Sequence, residues 1–300
     1  MDEFEWGFTL VSNRLGATVL YENDDYHVIA YGSMVELWLH GGWNSSCARM
    51  ARKFGVQGLS ASEGSGWSDD SLEFLDELPG LRWVLVSTSR KLNWKPLERQ
   101  ADLESVDLFP NSSDQNEIDF TCLPSLRKCA VNWRPQFDSI RHCRRLNCFE
   151  VRDSDLGNLR ELDLRELVDL EQLIVDSCIR LGSIEPAEQA QIRALKASDC
   201  PKLKLDLKRL VRDLQYLYLE GKLAYPLDEL RLAKHLKSVV FLWVRAKTPI
   251  PPVLDQLPCL ADGLAAGTRL SEPDQNIMDT FAARRREQLE AEKRKNSGGK

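Results

Sequence analysis

The sequence predicts an α/β solenoid in which stacked repeats form one parallel β-sheet. Three observations support this: a short apolar pattern recurs nine times, its copies start 20 to 25 residues apart, and its fourth and sixth positions alternate as in a strand. A steady period of this length is typical of stacked repeats, and strand alternation points both apolar residues to one face. The copies begin at Val56, Leu81, Leu103, Leu126, Leu146, Leu170, Ile192, Leu214 and Leu236.

Residues 1–55 differ from the repeats and predict a small antiparallel sheet. Phe4 to Leu10 alternate apolar and polar residues, and further strand-like runs follow at 18–21, 26–31 and 35–39. Acidic residues and Asn separate these runs, as in hairpin turns. Every solenoid needs a cover for its open end, so we interpret the sheet as an N-terminal β cap.

A helix is expected at the end of this cap. Asn44 and the serines after it provide an N-cap, and the helix should run from about Cys47 to Phe54. Between the repeat strands, residues 203–211 and 226–235 have apolar residues at helical spacing and predict short helices or turns. The polar stretch 110–115 predicts a loop.

The chain after Phe241 loses the pattern. Four prolines between positions 249 and 258, followed by Gly263 and Gly267, indicate irregular coil. Residues 284–300 contain seven basic and three acidic residues and few apolar ones, which predicts a loose basic tail. The predicted organisation is therefore a β-rich cap at 1–55, repeats at 56–248, and coil with a helix-prone basic tail at 249–300.

Two copies extend the pattern beyond the strand. Residues 170–181 and 192–203 match in residue type along their whole length, with Cys178 and Cys200 at the ninth position. Here the chain resembles the leucine-rich repeat family, which places Asn or Cys at that position to satisfy backbone groups. The ninth positions of other copies hold Ser89, Asn111, Ser154 and, as departures, Arg134 and Lys222. The resemblance covers about residues 56–245 and implies a leucine-rich-repeat solenoid with a concave parallel sheet, most similar to irregular bacterial cytosolic members.

The charge composition indicates which kind of macromolecule the protein binds. The formal net charge is −6 and the last 17 residues carry +4, so the body is acidic. An acidic body disfavours nucleic acid as the main ligand and favours a basic protein partner. No apolar run is long enough for a membrane helix, and the acidic start of the chain lacks a signal-peptide pattern, so we expect a cytoplasmic protein. The eight cysteines are expected to be reduced structural thiols, without a disulfide set, zinc site or other cofactor.

The sequence contains none of the common catalytic signatures. It has no phosphate-binding or dinucleotide-binding glycine motif, no His-Glu-x-x-His and no nucleophile elbow, and its four histidines are scattered. We therefore predict a protein that is not an enzyme.

The repeat geometry provides the candidate site. If the fourth and sixth positions point inward, the third, fifth and seventh point outward and align in ladders across neighbouring strands. Exposed aromatic residues beside charges are typical of protein interfaces. The predicted partner-binding residues are Trp83, Asp107, Phe109, Asn132, Trp133, Glu150, Arg152, Asp176, Lys196, Tyr216, Tyr218 and Glu220.

The sequence thus predicts a non-enzymatic module that binds a protein partner through its concave face. One interpretation is an immunity protein that neutralises a cognate, basic toxin. An alternative is an adaptor or substrate-recognition subunit like those of ubiquitin ligases, although no F-box-like helical segment precedes the repeats. Another alternative is an enzyme with a site in the N-terminal sheet.

Overall fold

The computed structural model describes residues 17–110, 114–153, 158–221, 227–242 and 262–266, together with positions 279, 280, 283 and 287. The chain divides into two compact units. The first comprises Met1–Asn158 and Arg165–Leu170, and the second comprises Leu159–Leu164 and Glu171–Lys300. Among the described residues, no helix has the length and apolar character needed to span a membrane.

The first unit begins with three antiparallel strands, as the sequence predicts. These are β1 (Thr18–Glu22), β2 (Tyr26–Tyr31) and β3 (Met34–Leu39). The turn between β1 and β2 is fixed by Asn23, whose side-chain oxygen accepts hydrogen bonds from the backbone of Asp25 and Tyr26. The first strand predicted in the cap, at residues 4–10, lies outside the described residues.

Helix α1 (Ser45–Phe54) follows this cap and confirms the predicted helix. The side chain of Asn44 accepts hydrogen bonds from Ser46 N and Cys47 N, which satisfies two of the free amides at the helix start. The helix ends at Gly55, whose φ of 62° is left-handed and suits glycine.

The repeat strands of the first unit form a parallel sheet in register. They are β4 (Gly58–Ser62), β5 (Trp83–Ser87), β6 (Ser105–Phe109), β7 (Lys128–Asn132) and β8 (Cys148–Arg152). Each strand starts at the third position of its copy. Equivalent positions pair directly, so that Val84 lies opposite Val106, which lies opposite Cys129. This confirms the repeat register predicted from the sequence.

The second unit continues the same architecture. After β9 (Glu161–Leu164), its strands are β10 (Gln172–Asp176), β11 (Ser183–Pro186), β12 (Ala194–Ser198), β13 (Tyr216–Glu220), β14 (Ser238–Leu242) and β15 (Asp262–Ala266). Strands β10, β12, β13, β14 and β15 are parallel neighbours in that order. Strands β9 and β11 form a separate parallel pair, which the sequence pattern did not predict.

The core lies behind the repeat strands. Every residue at the fourth and sixth position of the nine predicted copies is at most 2% exposed, and the first-position residues are at most 7% exposed. Burial of a Leu or Val side chain contributes about 1.5–3 kcal/mol relative to an exposed one. The stacked apolar positions are therefore the main stabilising feature of each unit.

Two strands extend the repeat pattern at its ends. Strand β3 pairs in parallel with β4, with Leu37 opposite Leu59, so the cap strand is also a repeat strand. Strand β15 pairs in parallel with β14, with Gly263 opposite Val239, in a segment where we predicted irregular coil. The coil prediction was wrong there because Gly263 and Ala265, which pair with the fourth- and sixth-position residues Val239 and Phe241, do not show the apolar pattern of the other copies.

The connections between strands are mostly short 3₁₀ helices. The predicted helices at 203–211 and 226–235 correspond to α3 (Leu207–Leu210) and a 3₁₀ helix at Leu227–Leu232. The helix α2 spans Lys95–Glu98. Further 3₁₀ helices lie at Glu63–Ser65, Glu73–Glu77, Phe120–Cys122 and Pro135–His142. The predicted loop at 110–115 falls partly outside the described residues.

The ninth positions satisfy backbone groups where the strand turns away. The thiol of Cys178 donates to Asp176 O at 3.4 Å, and that of Cys200 to Ser198 O at 3.1 Å. Arg134, which departs from this pattern, satisfies a different backbone group: its buried guanidinium donates to Asp114 O, in the loop of the preceding repeat, at 2.6 Å. Asn111, Ser154 and Lys222 lie outside the described residues.

Candidate functional site

The candidate site is the outward face of the repeat strands, described for each unit separately. We define the first-unit face as the third, fifth and seventh positions of β5 to β8, and the second-unit face as the same positions of β10, β12 and β13. In-register pairing aligns these positions in rows, such as Leu85, Asp107, Ala130 and Glu150 in the first unit. Side chains in a row are about 4.8 Å apart along the sheet.

Two acidic residues lie at the centre of the first-unit face. Asp107 on β6 and Glu150 on β8 occupy the same row, separated by Ala130 on β7. They are 5% and 1% exposed. Asp107 Oδ2 and Glu150 Oε2 are buried and have no hydrogen-bond partner among the described residues. A buried carboxylate oxygen without a partner is energetically costly, so this pair is an unusual feature of the face.

Arg152 is the cation in contact with Glu150 of this pair. Its Nη2 lies 2.6 Å from Glu150 Oε1, and its Nε donates to the same oxygen at 2.8 Å. Its guanidinium also lies over the Phe109 ring, 5.3 Å from the centroid. Both guanidinium contacts reach one carboxylate oxygen, and the other oxygen remains unpaired. Arg152 thus pairs with Glu150, while its positive charge acts on Asp107 only as an electrostatic influence.

The electrostatic environment of Asp107 reflects this imbalance. Burial, followed by the negative charge of Glu150, raises the pKa of Asp107 from 3.8 to about 7, while Arg152, Lys128 and a hydrogen bond with the Trp83 side chain oppose the change. Lys128 lies on the neighbouring strand and is exposed, and it forms no ion pair with any described residue. The negative charge of the pair is therefore only partly compensated within the described part of the chain.

Trp83 closes one end of the first-unit face. It is 2% exposed, and it packs so closely over β4 that a Cβ at Gly58 would lie 3.0 Å from its ring. Only glycine fits under the indole at this position without displacement. The cap residue Glu36 lies in the same row, opposite Gly58.

Trp133 and Asn132 lie at the end of β7. The backbone amide of Trp133 donates to Arg152 O at 2.6 Å, which fixes the end of β7 against β8. Both side chains are half-buried. They extend the first-unit face beyond the acidic pair.

The second-unit face combines aromatic and charged side chains. The Tyr218 hydroxyl donates to Glu220 Oε2 at 2.9 Å, and Lys196 Nζ lies 4.9 Å from the centroid of the Tyr218 ring. Burial, followed by this hydrogen bond, raises the pKa of Tyr218 to about 12. Asp176 lies in the same row as Glu220, separated from it by Ser198, and Tyr216 lies two residues before Tyr218 on β13; both Asp176 and Tyr216 are half-buried.

The predicted site residues are less exposed than expected. Trp83, Asp107 and Glu150 are buried, and the other nine are half-buried: Phe109, Asn132, Trp133, Arg152, Asp176, Lys196, Tyr216, Tyr218 and Glu220. The expectation of fully exposed aromatic residues was wrong. The reason is that in-register rows bring long side chains together, so that they cover one another. The outward orientation of the positions was correct.

Sequence reasoning overlooked Glu36 and Trp38 on β3, which continue the rows of the face. The signal was present: Met34, Leu37 and Leu39 occupy the first, fourth and sixth positions of a further copy that starts 22 residues before Val56. Lys128, the exposed cation beside the acidic pair, was also outside the predicted set.

The described residues offer no metal centre and no disulfide. No three His, Cys, Asp or Glu side chains of this part of the chain are grouped so that they could hold a metal ion. The seven described cysteines are free thiols, and all except Cys122 are buried. Burial raises the pKa of both Cys143 and Cys148 to about 12.

Comparisons with known proteins place this geometry in context. No family model and no curated protein matches the chain. Similar solved structures include an internalin from Listeria monocytogenes, with 12% identity, a TM-score of 0.39, and coverage of 82% of this chain and 85% of that chain. Another is a leucine-rich-repeat protein from Leptospira interrogans, with 14% identity, a TM-score of 0.37, and coverage of 79% and 73%.

A plant peptide hormone receptor in complex with its peptide is more distant. It has 11% identity, a TM-score of 0.29, and coverage of 81% of this chain and 52% of that chain. At these TM-scores the likenesses carry no argument about function. The fold assignment rests on the chain itself, in which nine copies of one pattern coincide with nine parallel strands paired position by position within each unit. On this evidence, the repeat strands of each unit have the fold of a leucine-rich-repeat solenoid.

Proposed function

We propose that this chain is a non-catalytic module that binds a protein partner through the outward faces of its repeat strands. The observation that carries the proposal is the alignment of charged and aromatic side chains in rows on those faces. Stacked repeats typically use such faces for binding, and aromatic residues beside charges are the usual composition of interface hot spots.

The partner that we propose is a basic protein. The net charge of −6 and the acidic centre of the first-unit face both favour a positively charged partner. The specific form that we propose is an immunity protein that neutralises a basic toxin in the cytoplasm. The seven free thiols suit a reducing compartment. No observation favours a ubiquitin-ligase adaptor or an enzyme site in the N-terminal sheet over this function.

The experiment begins with chemical crosslinking and purification of the tagged chain to identify its partner. Titration calorimetry with the purified partner then compares face variants with a matched control. Lys196→Glu and Tyr218→Ala alter the second-unit face, and Lys202→Glu makes the same charge change at an exposed residue that follows the strand.

We expect both face variants to weaken binding at least tenfold, which corresponds to about 1.4 kcal/mol, with the control within twofold of the wild type. Unchanged affinity in both face variants would contradict a second-unit interface. If the partner is basic, the association rate should also fall as salt is raised, because electrostatic steering is screened over about 8–10 Å.

The immunity function has a separate test. The chain is co-expressed with the product of the neighbouring gene in a host that this product kills. Restored growth with the wild type, and not with Lys196→Glu, would support the proposal. A neighbouring product that is harmless, or toxicity that the chain does not relieve, would contradict it.

A further inference from the structure

We propose that Asp107 and Glu150 form a receptor for one basic side chain, a lysine or an arginine, of the protein partner. This inference rests on the proposed function and names the chemistry by which the first-unit face would recognise its partner. It is carried by two buried carboxylates in one row and by the unpaired oxygen on each of them.

Asp107 and Glu150 lie on strands that flank β7, so their Cα atoms are separated by two strand spacings, or about 10 Å. The residue between them is Ala130, which is 3% exposed, so neighbouring side chains cover the region above it. Once those side chains move aside, an ammonium or guanidinium group over Ala130 would lie within reach of both carboxylates.

When Asp107 is ionised, two carboxylates and one guanidinium leave an excess of one negative charge at the pair. Isolated buried charges are strongly unfavourable, and a second cation in contact with the pair would remove this cost. Lys128 is close enough to influence Asp107, but it is exposed and forms no ion pair with any described residue. The position is therefore suited to a cation from outside the chain.

Arg152 lies between the pair and solvent, since its side chain is 34% exposed while that of Glu150 is 2% exposed. Its guanidinium rests on the Phe109 ring and donates to Glu150, so it occupies the position that an incoming cation would share or take. Movement of one arginine side chain would open the pair.

The choice of a protein side chain over a metal ion follows from the donor set. The pair provides two carboxylates, and the described residues contain no third acidic, His or Cys group placed to complete a metal site. Two carboxylate oxygens beside an aromatic ring are instead suited to a guanidinium or ammonium group.

The test uses three capped pentapeptides, acetyl-Gly-Ser-X-Ser-Gly-amide, in which X is arginine, lysine or glutamine. Binding to the full chain is followed by NMR titration. We expect the arginine or lysine peptide to bind saturably and the glutamine peptide to bind at least tenfold more weakly. In the Asp107→Asn, Glu150→Gln double variant, the basic peptide should lose at least tenfold in affinity.

Two further variants sharpen the test. Glu117→Gln removes one negative charge from an exposed loop of the same unit and should leave peptide affinity within twofold. Arg152→Gln removes the internal competitor and should strengthen binding of the basic peptide at least threefold. Thermal unfolding of the double variant serves as the folding control, because neutral isosteres remove buried charge and should maintain or raise Tm.

The inference would be overturned if no peptide binds saturably, if glutamine binds as well as arginine, or if the double variant retains full affinity. Measurements with the partner protein separate this result from the proposed function. If the double variant binds the partner normally while Tyr218→Ala does not, the face binds the partner without this receptor. If neither variant affects partner binding, the proposed face itself is wrong.

Discussion

Asp107 illustrates how one residue at an outward position acquires the properties of a core residue. Its place in an in-register row buries it, and Glu150 in the same row adds a like charge. Both effects disfavour the ionised form, so the pKa rises to about 7. The sequence alone showed an acidic residue at the fifth position of its copy. It could not show that side chains from neighbouring strands bury this residue.

The first prediction follows from this pKa. Between about pH 4 and pH 7 the folded protein holds one more proton at Asp107 than the unfolded chain, so stability falls as the pH rises through this interval. Since one pKa unit corresponds to about 1.4 kcal/mol, the full effect is on the order of 4 kcal/mol. Asp107→Asn should remove it.

The measurement is urea unfolding of wild type and variant at pH 5 and pH 8. From pH 5 to pH 8, the free energy of unfolding should fall more for the wild type than for Asp107→Asn. The Glu117→Gln control should show the same fall as the wild type. An identical pH dependence in wild type and Asp107→Asn would show that Asp107 is ionised throughout.

The cysteines provide a second prediction at this scale. Cys122 is the exposed thiol of the described residues, whereas burial raises the pKa values of Cys129, Cys143 and Cys148 well above the ordinary range. The thiolate is the reactive form, so buried thiols should react slowly. Cys259 lies outside the described residues and is replaced by serine for the test.

In that background, a chromogenic disulfide reagent at pH 8 should titrate one thiol rapidly in the native protein and the remainder only in denaturant. Adding Cys122→Ser should abolish the rapid phase. Rapid reaction of two or more thiols in the native state would contradict the burial of the others.

At the scale of elements, the residue at the eighth position of each copy forms the turn that follows the repeat strand. In the second unit this residue is left-handed: φ is 55° at Ser177, 48° at Asp199 and 83° at Gly221. Its backbone amide donates to the seventh-position carbonyl of the next strand, as from Gly221 to Leu242 O at 3.1 Å. The hydrogen bond ties each turn to the following repeat.

The third prediction tests this turn. Gly221→Ala places a Cβ on a left-handed residue, 2.5 Å from Asp199 Oδ1, and should cost about 1–2 kcal/mol. Gly182→Ala is the matched control in the same unit, since its Cβ would meet Arg160 O at an ordinary 3.5 Å. Urea unfolding should show the control within about 0.5 kcal/mol of wild type. Equal costs at the two glycines would contradict the strain argument.

The elements also show what the sequence could predict. Nine strands, their register and helix α1 followed from apolar periodicity and capping residues, because these signals are local. Strand β15 was missed because Gly263 and Ala265 occupy its inward positions, and the repeat role of β3 was missed because its antiparallel neighbours suggested a separate sheet. The pairing of β9 with β11 depends on contacts between repeats and has no comparable local signal.

For the candidate site, periodicity identified which residues point outward, but not their exposure. Exposure depends on how long side chains from neighbouring strands settle together, as with Trp83 over Gly58 and Arg152 over Phe109. These contacts join residues about 20 or more positions apart in sequence, and they require the strand register before they can be inferred. The unpaired oxygens of the acidic pair are visible only in the structure.

At the scale of the whole molecule, stability comes from one apolar pattern repeated along the chain. Each repeat packs on its immediate neighbours, so an interior apolar side chain fills space shared by adjacent repeats. Leu173, at the fourth position of β10, is fully buried, as is Leu195 opposite it on β12. The described residues contain no disulfide and no cluster of metal-binding side chains that would stabilise the stack in addition to this packing.

The last prediction is that Leu173→Ala destabilises the protein by about 2–5 kcal/mol, because it opens a cavity that neighbouring repeats cannot fully close. Ile179→Ala is the matched control: Ile179 lies in the same repeat but is 46% exposed, so it should cost less than about 1 kcal/mol. Urea unfolding gives both values, and hydrogen exchange should show lost protection in β10, β12 and β13. A cost below 1 kcal/mol for Leu173→Ala would mean that the stack is not held together by its inward positions, and the repeat architecture would need another source of stability.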